Sequence, residues 1–123
     1  MADEITMQVC LTFDKNGIAA FDIDSGNVSV DVTGNNAVYN IQDVGTSAEN
    51  LVVGDVGTAG FIIAHNLDAT NFVEIGYDDT GFVSCTKLKA GEWQLFRMSD
   101  SASTPQAKFD TGAGMLEYYL IEE

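Results

Sequence analysis

The feature that most constrains this chain is the strict alternation between residues 5 and 13. Ile5, Met7, Val9, Leu11 and Phe13 fall on one side of an extended backbone, and Thr6, Gln8, Cys10 and Thr12 on the other. A period of two marks a strand with one covered face, because a helix would scatter the same apolar groups around its axis. Asp14, Lys15, Asn16 and Gly17 follow as a turn, with Asn-Gly suited to positive φ.

The rhythm continues to the C-terminus. Short strands are expected at 18–23, 28–32, 37–42, 50–53, 60–65, 72–76, 82–86, 93–98, 107–110 and 115–121. Turn-formers separate them, such as Asp24-Ser25-Gly26-Asn27, Thr33-Gly34-Asn35-Asn36 and Lys89-Ala90-Gly91-Glu92. No stretch of ten or more residues carries a 3.6-residue apolar stripe. The polar stretch 99–106, which holds the sole proline, Pro105, reads as an exposed loop. Many short strands with glycine-rich turns specify an all-β fold, here an antiparallel, jelly-roll-like β-sandwich. With 123 residues, 46% of them hydrophobic, one sandwich domain over 1–123 is expected.

Charge narrows the function. Nineteen acidic residues face five basic ones, for a net of −14. Lys15, Lys87, Lys89, Arg97 and Lys108 form no continuous patch, whereas nucleic-acid binding needs clustered cations to displace counterions from phosphate. Direct nucleic-acid binding and attachment to an anionic membrane are therefore not expected. Met1 leads into Ala2, Asp3 and Glu4 with no basic n-region, and no apolar run reaches membrane length, so the expected site of synthesis is a cytoplasm.

The residues of catalysis are sparse. His65 is the one histidine, no serine or cysteine motif surrounds it, and it reads as a structural or surface residue at a strand end. Cys10 and Cys85 have no metal-type spacing and read as reduced, buried thiols. The run from Gly54 to Gly60 lacks the Gly-Lys-Ser/Thr of a phosphate loop, and Asp55 within it opposes phosphate. Asp22-Ile23-Asp24-Ser25-Gly26 opens like a calcium loop, but its glycine comes early and no Glu closes it. Asp78-Asp79 and the set Asn66, Asp68, Asn71 offer oxygen-rich turns suited at most to weak calcium binding. No enzyme, no cofactor and no metal site is the expectation. Trp93 reads as a packing residue, and the other role open to it is stacking on a sugar in a carbohydrate-binding or adhesive module.

Three segments are apolar on both faces: 51–53, 61–63 and 115–121. A strand with one solvated face alternates, so a continuous run implies that its second face is covered too. For the last segment the cover is either the rest of the same chain or, the expectation taken here, another subunit, through Met115, Leu116, Tyr118, Tyr119, Leu120 and Ile121.

A resemblance agrees with this. The run from Gly60-Phe61-Ile62-Ile63-Ala64-His65-Asn66-Leu67-Asp68 through Asn71-Phe72-Val73-Glu74-Ile75-Gly76, then Lys87-Leu88-Lys89-Ala90-Gly91-Glu92, Phe109-Asp110-Thr111-Gly112-Ala113 and Leu116-Glu117-Tyr118-Tyr119, resembles small structural proteins of tailed-bacteriophage particles. It covers roughly the second half of the chain. The resemblance implies a non-catalytic virion component: a capsid decoration protein, a head–tail connector or a tail protein. Its partners would be copies of itself and other virion proteins such as the capsid.

Overall fold

The computed structural model describes residues 4–15, 18–99 and 104–123, without the side chains of 18–20. Among the described residues every regular element is a strand, so no helix is long and apolar enough to cross a membrane. Two compact units divide the chain, Met1–Thr33 and Gly34–Glu123. The sandwich belongs to the second unit, and the first forms a ribbon of its own.

The first unit contains β1 (Ile5–Met7), β2 (Cys10–Lys15), β3 (Ile18–Asp24) and β4 (Val28–Val30). β2 pairs with β3 and β1 with β4, both antiparallel, in one continuing hairpin. Between the two pairings, Ser25 donates its amide to the Val9 carbonyl at 2.9 Å and accepts the Val9 amide on Oγ at 2.9 Å. The register slips by one residue there, and Gly26 takes φ 66° while Asp24 Oδ1 accepts its amide. The expected Asn16-Gly17 turn lies outside the described residues.

The second unit contains β5 (Ala37–Val44), β6 (Glu49–Asn50), β7 (Ala59–Asn66), β8 (Val73–Asp78), β9 (Phe82–Leu88), β10 (Trp93–Arg97), β11 (Gln106–Phe109) and β12 (Gly114–Glu122). Its pairings nest: β8 with β9, β7 with β10, β6 with β11 and β5 with β12. They are the rungs of one long hairpin folded back on itself. Added pairings of β7 with β12 and β8 with β11 roll that hairpin into two four-stranded sheets, ordered β10-β7-β12-β5 and β6-β11-β8-β9. This is the jelly-roll form of the β-sandwich.

Alternation decides which residues fill the space between the sheets. Ile62 and Ala64 of β7 and Leu116, Tyr118 and Leu120 of β12 meet Val73 and Ile75 of β8, Leu88 of β9 and Ala107 and Phe109 of β11, all buried in one cluster. Tyr118 is the largest side chain there. Its hydroxyl lies 2.7 Å from the Val52 carbonyl and 3.0 Å from Gln42 Oε1, and accepts from Asn40 Nδ2. The ring therefore joins the core while its polar tip is satisfied.

Two local details depart from the sequence expectations. Pro105 is buried, and its carbonyl accepts the Leu51 amide at 2.8 Å, so the stretch read as an exposed loop re-enters the core. Residues 100–103 of that stretch lie outside the described residues. The strand expected at 50–53 shortens to β6, with Leu51 buried and Val52 exposed beyond it.

Candidate functional site

The two sheets present opposite outer faces. On the outside of β6-β11-β8-β9, register places Glu74 between Lys108 and Lys87. The ammonium groups of Lys87 and Lys108 lie over the rings of Phe72 and Phe82, 4.2 and 5.3 Å from the ring centroids.

The outside of β10-β7-β12-β5 is different. Successive cross-strand rows read Ile41–Glu117–His65–Trp93, then Tyr39–Tyr119–Ile63–Leu95, then Ala37–Ile121–Phe61–Arg97. Most of this surface is apolar. Tyr39, Ile41, Met115, Tyr119 and Trp93 are exposed, Trp93 the most at 58%. Tyr39 and Tyr119 sit ring to ring at 4.6 Å beside a shallow depression of about 420 Å³.

One polar cluster is set into this face. Glu117 accepts the Tyr39 hydroxyl on Oε2 at 2.8 Å and faces His65 Nδ1 with Oε1 at 3.1 Å. A carboxylate only accepts, so Nδ1 carries the proton of that bond. The two bonds, Tyr39's first and His65's second, hold the Glu117 carboxyl below its ordinary value, and the same contact raises the Tyr39 hydroxyl. His65 in turn stacks on Trp93 with centroids 4.0 Å apart and planes 11° from parallel. Glu117 thus links the Tyr39 hydroxyl and His65 Nδ1 across two strands. The three side chains form a polar cluster within an apolar surface.

The residues expected to form a subunit contact divide by parity. Met115, Tyr119 and Ile121 point outward onto this face, whereas Leu116, Tyr118 and Leu120 are wholly buried in the chain's own core. Trp93, read from sequence as a packing residue, is exposed. Sequence reasoning also missed Tyr39, Ile41, Ile63 and Glu117 as members of one surface. Alternation within each strand held part of the signal: Phe61, Ile63 and His65 share one parity, as do Tyr39 and Ile41.

The oxygen-rich set Asn66, Asp68 and Asn71 lies in one turn. Asn66 is buried. Its amide donates to the Asn71 and Leu88 carbonyls and its Oδ1 accepts the Asp68 amide. Asp68 Oδ2 accepts the amides of Asn71 and Thr70, which lowers its pKa. Asn71 Oδ1 accepts from Thr111. These oxygens build the 66–72 turn. Among the described residues no three His, Cys, Asp or Glu side chains group as metal ligands. Both cysteines are exposed and free, which corrects the expectation of buried thiols. Cys10 lies on the polar face of the ribbon, and Cys85 is the extra residue of a bulge between β8 and β9.

Glu122 closes the second unit. Its Oε1 accepts the Gly57 amide at 2.8 Å, while Oε2 accepts from Asn35 and from both nitrogens of Asn36. The glycine-rich loop 54–60 is thus tied to the last strand through Gly57. Comparison with protein-family models, with curated proteins and with solved structures gave no match.

Proposed function

We propose that this protein is a non-catalytic structural subunit of a virus particle, a capsid decoration, head–tail or tail component of the tailed-bacteriophage kind, acting through contacts between copies and with neighbouring virion proteins. The observation that carries this is the apolar outer face of the β10-β7-β12-β5 sheet. A chain of net charge −14 has acid enough to keep that face soluble by interspersion, yet its central row of Tyr39, Tyr119, Ile63 and Leu95 contains no charged side chain. Monomeric proteins rarely expose apolar patches beyond a few hundred Å² unless another surface covers them. The jelly roll suits the role, since its rolled hairpin gives a rigid block whose two faces can differ. Replacement of Tyr119 and Ile41 by Glu places like charges inside the proposed contact. Sedimentation of the wild type as oligomers, with the double variant reduced to smaller species, supports the reading. A wild type that stays monomeric from micromolar to millimolar concentration removes it.

A second reading is favoured by one observation, the exposure of Trp93 beside His65, Glu117 and Tyr39. Aromatic platforms edged by a carboxylate suit stacking on sugar rings, as in carbohydrate-binding or adhesive β-sandwiches. Titration of Trp93 fluorescence with a panel of soluble glycans tests it, and an unchanged spectrum across the panel excludes it.

A further inference from the structure

The glycine-rich run 54–60 and the start of the second unit converge on one side chain of the last strand. Glu122 Oε1 accepts the Gly57 amide at 2.8 Å, and Oε2 accepts the Asn35 amide at 2.9 Å, the Asn36 amide at 3.2 Å and Asn36 Nδ2 at 3.3 Å. Backbone bonds flank the carboxylate, from the Glu122 amide to the Asn36 carbonyl and from the Glu123 amide to the Thr58 carbonyl, each 2.9 Å. The approach needs bare backbone. A Cβ on Gly34 would collide with the Glu122 side chain, and one on Gly57 would stand 3.2 Å from Oε1. The register of β12 on β7 also shifts between Ile121 and Glu122, and an irregularity of this kind re-aims the side chain beside it.

Four uncharged N–H donors on one carboxylate make a nest of the kind that captures such groups. We propose that this nest is a carboxylate site filled by the chain's own Glu122, a latch that holds segment 34–36 and loop 54–58 in place together. The latch lies wholly within the second unit, so it stands whether or not copies of the chain associate.

Such a latch answers to protonation. Hydrogen bonds to an ionised carboxylate are roughly twice as strong as those between neutral groups, so one proton weakens all of these contacts at once. The contacts in turn hold the Glu122 carboxyl below its ordinary value, the Gly57 amide first and the Asn35 amide next. With a depressed folded pKa, the latch is closed above the ordinary carboxylate value, about pH 4, and opens as pH falls through the folded one. The other ionisable groups on the segments packed here are Asp55 of the loop, Glu123 next in the chain and Arg97 at the end of β10, which lies 3.6 Å from Glu123. The hydrogen bonds to Glu122 come from amides and not from Arg97, so added salt leaves the latch closed.

Glu122→Ala empties the nest. Amide exchange at Asn35, Asn36 and Gly57 is expected to speed at least tenfold in this variant, while amides within the sheets keep their protection. Sodium acetate at pH 7 should restore both the protection and the melting temperature, saturably, and sodium chloride at equal ionic strength should not. Acetate that acts no better than chloride overturns the carboxylate site. Protection lost at Gly57 but kept at Asn35 and Asn36, or the reverse, overturns the joint hold on the two segments. If the variant does not fold, the wild type decides. Its Asn35, Asn36 and Gly57 amide resonances must then shift in acid with one common midpoint below about pH 4, and separate midpoints overturn the latch.

Discussion

His65 lies flat against Trp93, with ring centroids 4.0 Å apart and planes 11° from parallel, on the open side of the β10-β7-β12-β5 sheet. Opposed in register on β7 and β10, the two residues bring an exposed indole to the edge of the polar cluster of His65, Glu117 and Tyr39. The same indole is the protein's one tryptophan, so it reports on that face alone. At low concentration its emission should be that of a solvent-exposed indole and acrylamide should quench it freely. A blue shift with rising concentration is expected if assembly covers the sheet face. Emission independent of concentration, in a sample whose mass does increase, would put the contact elsewhere.

Gly76 faces the bulge at Cys85. A Cβ at this position would lie 1.8 Å from the Val83 carbonyl oxygen, a distance that no rotamer can relieve. Gly76→Ala is expected to lower unfolding free energy by about 3 kcal/mol, at or above the upper end for overpacking, because the obstacle is backbone. Urea denaturation reads this as a lower midpoint. A midpoint equal to that of the wild type would mean that the bulge relaxes without penalty.

Tyr118→Phe removes a buried hydroxyl that serves Val52, Gln42 and Asn40. The apolar ring stays, so no cavity forms, and the loss is the stranding of polar partners, about 1–3 kcal/mol. Thermal and urea melting should agree on this, with the m-value unchanged.

Acid should weaken the second unit through Glu122. Its carboxyl is held below the ordinary value first by the Gly57 amide and then by Asn35, opposed by desolvation and aided by Asn36. A carboxyl with a depressed folded pKa contributes stability that is fully present above its unfolded value and is lost as pH falls through the folded one. The window therefore lies below about pH 4. Asp68 and Glu117 are shifted in the same direction and add to the slope. Comparison with Glu122→Gln isolates the effect, since relief of general self-repulsion on acidification is nearly common to both proteins. The variant should be the less stable at neutral pH, with the gap closing in acid. A constant gap between pH 7 and pH 3 would contradict the carboxylate's role.

Much of the fold was legible because alternation and turn chemistry are local. The strands at 5–13, 60–65 and 115–121, and the turn at 89–92, follow from side-chain parity and from Gly91, which takes φ 79°. The nested pairing that makes a jelly roll was not legible in detail, because partners such as Ile121 and Ala37 lie far apart in sequence. The division into ribbon and sandwich was hidden for a related reason. Alternation at 5–13 says that one face is to be covered and is silent on whether the cover comes from the same chain. The six residues expected at a subunit contact show the same limit. Apolarity on both faces of β12 was read correctly, but only pairing with β5 and β7 shows that Leu116, Tyr118 and Leu120 are spent on the core while Met115, Tyr119 and Ile121 remain outside. Cys10, Cys85 and Trp93 were placed inside on average behaviour, and their strands' parity or bulge turned them out.

The proposed subunit role requires that the apolar outer face of the β10-β7-β12-β5 sheet join copies of the chain. Sedimentation of the purified protein from micromolar to millimolar concentration, at low and at high salt, tests this most directly. The account predicts mass that rises with concentration to multiples of 13.2 kDa and rises further with salt. A constant 13.2 kDa species under every condition would contradict it.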